Sequence, residues 1–152
     1  MVPMCDIPIP IDGNEKIVRA VMKGSVNKSN TAVKPRIFRS RPGADEVSVI
    51  RHDYKGADFC KDHGRSRGAD YVGLAVLLAT QIRKVGSDVF DSRDEFCGHA
   101  HIAHGIVAAT PNEPLSPLDN LKLDKKVEAL GALASYYPDP DPTGEGWTGP
   151  SL

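Results

Sequence analysis

The stretch ADYVGLAVLLATQIRKV, residues 69–85, decides the fold, because it is the most strongly apolar part of the chain. Its length exceeds that of a typical strand, which favours a helix over residues 70–85. Two basic residues lie in the last turn, where they suit the helix dipole, and Gly86 follows as a closing glycine. An alternative interpretation makes Tyr71–Val76 a strand that is followed by a shorter helix.

Other segments also have apolar residues at helical spacing. Residues 14–23 read as a short helix. Residues 119–137 form the second strong helix prediction, with Asp119 as its N-cap and Pro138 as its end. A further short helix is indicated around Ala57–Asp62.

Three segments predict strands. Residues 46–51, EVSVIR, alternate like a half-buried strand with Val47 and Val49 facing inward. Residues 87–91 form a second strand, and residues 99–109 form one long strand or a bent pair. These segments are short and rich in β-branched or alternating residues, as strands usually are.

Together the elements indicate one α+β domain over residues 14–137, in which two main helices pack a mixed or antiparallel sheet. Both termini are rich in proline. We expect residues 1–13 to form an extended N-terminal arm and residues 138–152 to form a flexible, acidic tail rich in Pro and Gly. Either segment can dock on a protein partner. Trp147, the only tryptophan, is expected to pack back on its own domain rather than to anchor a partner.

The composition is that of a globular protein: 152 residues, 40% hydrophobic and 26% charged, with a formal net charge of −1. That charge supplies no global electrostatic argument for binding to nucleic acid or to a membrane. The three cysteines, Cys5, Cys60 and Cys97, are an odd and sparse set, which argues against a disulfide framework and for a reducing compartment. The N-terminus lacks the pattern of a signal peptide, and no apolar run is long enough to cross a membrane. We therefore expect a soluble, cytoplasmic protein.

The stretch FCGHAHIAHG, residues 96–105, holds three of the five histidines. In an extended chain His99 and His101 point to one face, and His104 follows around a turn. Three imidazoles can hold Zn²⁺ or a similar ion with one position left for water, which predicts a metal-dependent hydrolase or nuclease. The alternative interpretation is that these histidines satisfy the end of a strand, with His104 in solvent.

Cysteine spacing supports a second metal hypothesis. Cys60 and His63 are three residues apart, and Cys97 with His99 or His101 can supply two more ligands for a structural zinc. The alternative is that both cysteines are small, buried apolar residues.

Arginines cluster around KPRIFRSRPG, residues 34–43, in which Pro42-Gly43 predicts a turn. The candidate binding residues are Arg36, Arg39, Arg41 and, on the next strand, Arg51. Lys34 and, in the following loop, Arg65 and Arg67 belong to the same basic cluster. Arginine recognises phosphate and carboxylate groups through two parallel hydrogen bonds. The alternative is a solvated sheet edge whose charges deter strand pairing.

The chain contains no Walker A, dinucleotide-binding or nucleophile-elbow motif. The leading hypothesis is therefore a small accessory binding module, with a larger bacterial assembly as its setting. Through the arginine cluster it would recognise a phosphate-bearing partner, either a nucleotide or nucleic acid.

Four short patterns follow one another along the chain: R-x-F-R-x-R at 36–41, V-S-V-x-R at 47–51, G-L-A-V-L at 73–77 and H-A-H-I at 99–102. This order resembles a group of short, uncharacterised bacterial proteins with the pattern R-x-F-R … L-S-V-x-R … H-A-x-I, over about residues 34–104. The resemblance implies no activity and no cofactor. It places His99 ahead of the other two histidines as the residue to test.

Overall fold

Six antiparallel strands form one sheet in a computed structural model that describes residues 4–41 and 43–152. The strands are β1 (Lys16–Met22), β2 (Val47–Arg51), β3 (Tyr71–Leu78), β4 (Asp88–Asp91), β5 (His99–Ala103) and β6 (Ser135–Pro138). Their order across the sheet is β4-β5-β2-β1-β3-β6, and each neighbouring pair runs antiparallel. The predicted α+β class is confirmed.

Helices cover both faces of this sheet. They are α1 (His52–Arg67), α2 (Ala79–Lys84) and α3 (Pro117–Leu133), with two 3₁₀ helices at Lys23–Ser25 and Pro35–Phe38. On one face α1 packs on β1 and β3, and Cys60 lies in a core with Val18 and Ile50. On the other face α2, α3 and the second 3₁₀ helix bury Ile82, Leu130 and Phe38 against the sheet.

The segment predicted as a helix over 70–85 is instead the strand β3 followed by the short helix α2, so the helix prediction is wrong and its alternative is confirmed. Six of the eight residues of β3 are buried, because helices cover both faces of the sheet. A strand buried on both faces shows no alternation, and its apolar run cannot be told from a buried helix by periodicity.

The helix predicted over 14–23 is also wrong, because Lys16–Met22 forms β1 between β2 and β3. Both faces of β1 are buried: Ile17 and Val21 join one core, and Val18 joins the other. Apolar residues on both faces produce i, i+1 and i+4 spacings that resemble a helix face.

The remaining predicted elements are present with shifted ends, and the short helix predicted around Ala57–Asp62 is part of the longer α1. The end of the helix predicted over 119–137 is wrong, because Ser135–Pro138 forms the strand β6 on the edge of the sheet. β2 and β4 lie where they were predicted, with Val47 and Val49 buried. β5 is shorter than residues 99–109. In α3 the N-cap is Ser116 rather than Asp119, since Ser116 Oγ accepts a hydrogen bond from the Asp119 amide.

A disulfide joins Cys5 to Cys97, whose Cα atoms lie 5.4 Å apart, while Cys60 is free and buried. The argument against disulfide bonds is therefore wrong for Cys5 and Cys97, and the cysteines no longer support a reducing compartment. Arg93 donates to the carbonyl oxygens of Cys5 and Ile7, so the arm lies against the domain. Residues 1–3 of the predicted arm lie outside the described residues.

The C-terminal residues, expected to form a flexible tail, lie against α1 and β3. The buried ammonium of Lys61 donates to Asp139 and to the carbonyl oxygens of Asp141 and Gly146. Trp147 packs on the core beneath α1, as predicted, and Leu152 is buried there. The arm and the tail therefore both have partners within the chain.

Across the described parts of the chain, no helix is long and apolar enough to cross a membrane.

Candidate functional site

The sheet opens between β1 and β2. These strands pair only at Ile17↔Arg51 and Val18↔Ile50, whereas β1 continues to pair with β3 as far as Met22. Beyond Val18 the side chain of Arg19 fills the gap, and its Nη1 donates to the carbonyl oxygen of Ser48 over 2.6 Å. The guanidinium of Arg19 therefore takes the place of a backbone hydrogen bond between β1 and β2.

A cavity of about 340 Å³ lies at this opening, and we call it the basic pocket. Two of its lining arginines come from other elements. Arg67 is the last residue of α1, and Arg39 follows the second 3₁₀ helix, which packs on α3. Its polar lining residues are Arg19, Arg39, Arg41, Arg67, Ser48, Glu46, Glu95, His99 and His101. Four arginines thus face two glutamates, which leaves a formal excess of positive charge.

Among the arginines of the basic pocket, Arg19 is the one whose charged form is disfavoured by its surroundings. Burial, followed by the nearby charge of Arg67, lowers its pKa to about 10. Its buried Nε has no hydrogen-bond partner among the described residues. Buried polar atoms in native proteins are nearly always paired, and strongly perturbed charges cluster at functional sites.

His99 is 7% exposed and lies between two serine hydroxyls. Its Nε2 is 2.6 Å from Ser48 Oγ, and its Nδ1 is 2.5 Å from Ser92 Oγ. Burial lowers the pKa of His99, although the charge of Glu95 acts in the opposite direction. The ring of Phe96 packs edge-on against the imidazole, with the ring centroids 4.9 Å apart. The imidazole is therefore held in place and favours its neutral form.

A smaller cavity of about 90 Å³ shares Arg19, Ser48 and Arg67 with the basic pocket. His63 of α1 lines it. Burial, together with the charges of Arg67, His99 and Arg19, lowers the pKa of His63. The two cavities therefore form one electropositive region around Ser48.

Of the four predicted binding arginines, the structure brings Arg39 and Arg41 to the basic pocket. Arg39 also pairs with Asp124 and donates to Asn120 of α3. Arg41 is exposed, and its carbonyl oxygen accepts from the amide of Ala44; Pro42 of the predicted turn lies outside the described residues. Arg36 points elsewhere and donates to the carbonyl oxygen of Gly24.

Arg51 is not a ligand-binding residue, because it is fully buried. Its guanidinium makes five hydrogen bonds, to Glu15, Asp91 and the carbonyl oxygens of Pro8 and Pro10. Burial opposes the charge, but the hydrogen bonds of Glu15 and Asp91 outweigh it and raise the pKa of Arg51. All five N–H donors are used within the protein, so none is left for a ligand.

The three histidines of the predicted metal site do not converge. His104 is buried elsewhere, with Nδ1 2.7 Å from Ser87 Oγ and Nε2 2.7 Å from the carbonyl oxygen of Phe38. Among the described residues, no group of three or more His, Cys, Asp and Glu side chains is arranged to hold a metal ion. The sequence spacing failed because the chain leaves the strand after Ala103.

The zinc set of Cys60, His63, Cys97 and His99 is not formed either. Cys97 is bonded to Cys5. Burial raises the pKa of the Cys60 thiol to about 12, which disfavours the thiolate that a metal needs.

Sequence reasoning missed Arg19 and Ser48 as site residues, whereas Arg67 was counted in the basic cluster and His63 was considered only as a zinc ligand. Arg19 carried one usable signal: it is a lone charge in the otherwise apolar run IVRAVM. The incorrect helix prediction concealed that signal, because a charge on the outer face of a helix is ordinary. Nothing local marks Ser48.

No family model, curated protein or solved structure matches this chain.

Proposed function

We propose that this protein is a small binding module that recognises a phosphate-bearing ligand of about the size of a mononucleotide in the basic pocket. The observation that carries the proposal is the partly buried Arg19, whose pKa is lowered by burial and by Arg67 and whose buried Nε lacks a partner among the described residues. A bound anion would supply that partner and would offset the repulsion between the two arginines.

The kind of side chain supports a phosphate group. Arginine binds phosphate oxygens through paired N–H donors, and four arginines line this one cavity. Arg41 and Arg67 are exposed, so their side chains can close on a ligand from the mouth of the pocket. Glu46 and Glu95 also line the pocket and can accept hydrogen bonds from the hydroxyl or amino groups of an attached sugar or base.

The shape of the site favours a small molecule over a nucleic-acid strand. A volume of about 340 Å³ falls in the range of small-ligand pockets, roughly 300–1,000 Å³. The chain has a net charge of −1, and four of its nine arginines line this one concavity. Nucleic-acid interfaces usually need a broad basic surface.

Isothermal titration calorimetry with inorganic phosphate and with adenosine monophosphate tests the proposal. We expect both ligands to bind at low salt and adenosine monophosphate to bind more tightly, with affinities that fall as salt screens the arginines. Arg67→Gln and Arg41→Gln should each weaken binding about tenfold, which is the loss of one charge-assisted hydrogen bond. Arg36→Gln is the matched control, because Arg36 is an exposed arginine outside the pocket. Absence of binding at low salt, or equal losses in the control, would refute the proposal.

A further inference from the structure

We propose that the basic pocket hydrolyses phosphate monoesters, with Ser48 as the nucleophile, His99 as its general base and Ser92 as the residue that positions His99. This inference rests on the proposed phosphate site. It adds a reaction to that site, and it can fail while phosphate binding stands.

The three side chains form a continuous hydrogen-bonded line. Ser48 Oγ lies 2.6 Å from His99 Nε2, and Ser92 Oγ lies 2.5 Å from His99 Nδ1. A nucleophile, a base and a third group that orients the base are the recurring parts of activated-serine sites. Ser48 and His99 both line the basic pocket, so the reactive end of the line faces the proposed ligand.

The orientation of the imidazole follows from its surroundings. A neutral imidazole donates through one nitrogen and accepts through the other. We assign the ring proton to Nδ1, which then donates to Ser92 Oγ. Nε2 is then free to accept the proton of the Ser48 hydroxyl. Burial lowers the pKa of His99, which keeps the ring in this basic, neutral form at pH 7.

The first half-reaction makes a phosphoserine. Ser48 Oγ bonds to the phosphorus while its proton passes to His99 Nε2. The bond from phosphorus to the ester oxygen breaks, and the departing alcohol takes that proton from Nε2. Arg19, Arg41 and Arg67 line the same cavities and can stabilise the charge on the phosphoryl oxygens.

The second half-reaction restores the enzyme. His99 Nε2 takes a proton from water, and the oxygen of that water bonds to the phosphorus. The bond to Ser48 Oγ breaks, and Ser48 recovers its proton from Nε2. One ester and one water are consumed, and one alcohol and one inorganic phosphate are released.

The test uses p-nitrophenyl phosphate with the intact, disulfide-bonded protein. We expect release of p-nitrophenolate, and we expect acid-quenched protein to carry one phosphoryl group on Ser48 by peptide mass spectrometry. Ser48→Ala should abolish both signals while retaining phosphate binding by calorimetry. His99→Asn should lower kcat about 10²–10⁴-fold, as expected for the loss of a general base.

The positioning role of Ser92 is tested by comparing the effects of its substitution on kcat and on KM. Ser92→Ala should lower kcat with little change in KM, and Ser92→Thr should restore kcat because it keeps the hydroxyl. Ser87→Ala is the matched control, since Ser87 also bonds a histidine, His104, that lies outside the pocket. It should leave kcat unchanged.

The outcomes separate the two proposals. Wild-type protein that binds phosphate but neither releases p-nitrophenolate nor carries phosphoserine would overturn the hydrolase inference and leave the binding proposal intact. Turnover that survives in Ser48→Ala would also overturn it. Protein that neither binds phosphate nor turns over the ester would overturn both. The phosphoserine measurement uses wild-type protein, so the inference remains testable even if a variant fails to fold.

Discussion

Arg51 Nε lies 2.6 Å from Glu15 Oε1, and both side chains are almost completely removed from solvent. The pair joins β2 to Glu15, the residue that precedes β1. Arg51 also forms an ion pair with Asp91, the last residue of β4. Asp91 also binds Arg93, which holds the N-terminal arm. One buried network therefore joins two strands of the sheet and the arm.

Replacement of Arg51 should destabilise the whole fold. Arg51→Met leaves Glu15 buried without its cation and leaves Asp91 with Arg93 alone, and breaking a buried ion pair in this way costs about 3–5 kcal/mol. Arg41→Met is the control, because Arg41 is exposed, and it should change the free energy of unfolding by less than about 0.5 kcal/mol. Urea denaturation followed by circular dichroism measures both. Equal effects of the two variants would contradict this assignment.

Reduction of the Cys5–Cys97 disulfide should also lower stability. The bond closes a long loop, since its cysteines are 92 residues apart. Its loss is expected to lower the free energy of unfolding by about 2–4 kcal/mol. Thermal unfolding with and without a reductant measures the change.

The free cysteine provides the control for that experiment. Cys60→Ala should keep the full response to reductant, because Cys60 is unpaired. The Cys5→Ser, Cys97→Ser double variant should show no response. A double variant that still responds to reductant would disprove the pairing.

Lys61 should determine whether the C-terminal segment stays docked. Lys61→Met leaves the carboxylate of Asp139 buried without its cation, at a cost of about 3–5 kcal/mol. Trp147 is the only tryptophan, and its amide bonds Asp58 of α1, so its fluorescence reports docking directly. We expect its emission to shift toward that of solvent-exposed tryptophan. Lys55→Met, on the same helix but outside this cluster, should leave the emission unchanged; an unshifted spectrum in Lys61→Met would contradict the role of the pair.

Stability should fall as the pH drops below about 6.5, the ordinary pKa of histidine. Burial lowers the pKa of His104, although its hydrogen bond with Phe38 acts in the opposite direction. In this window the unfolded chain binds a proton at His104 that the folded protein does not, so protonation favours unfolding. The stabilising contribution is complete above pH 6.5 and is lost as the pH falls toward the lowered pKa.

Two measurements check this pH dependence. Urea denaturation between pH 5 and pH 8 should give a smaller free energy of unfolding at the acidic end. The NMR signals of the His104 ring should remain those of the neutral form below pH 6.5. Protonation of His104 at or above its ordinary pKa in the folded protein would contradict the prediction.

The sequence by itself determined those features whose cause is local. β2 and β4 were predicted because their segments are short, with apolar residues that are β-branched or alternate with polar ones. Most of α3 was predicted because one face of that helix is apolar. Arg39, Arg41, His99 and His101 were identified because they lie close together in two short stretches, and the pocket brings these two stretches together.

The tertiary structure alone decided everything that depends on a distant partner. Because helices cover both faces of the sheet, β1 and β3 carry apolar residues on both sides and do not alternate between apolar and polar residues. Their sequences therefore resemble those of helices. Arg51 has a structural role rather than a binding role because Glu15 and Asp91, 36 and 40 residues away, surround it. Arg19 and Ser48 become site residues only where two strands separate. The role of a charged side chain is set by burial and by the groups that face it, and neither can be read from its neighbours along the chain.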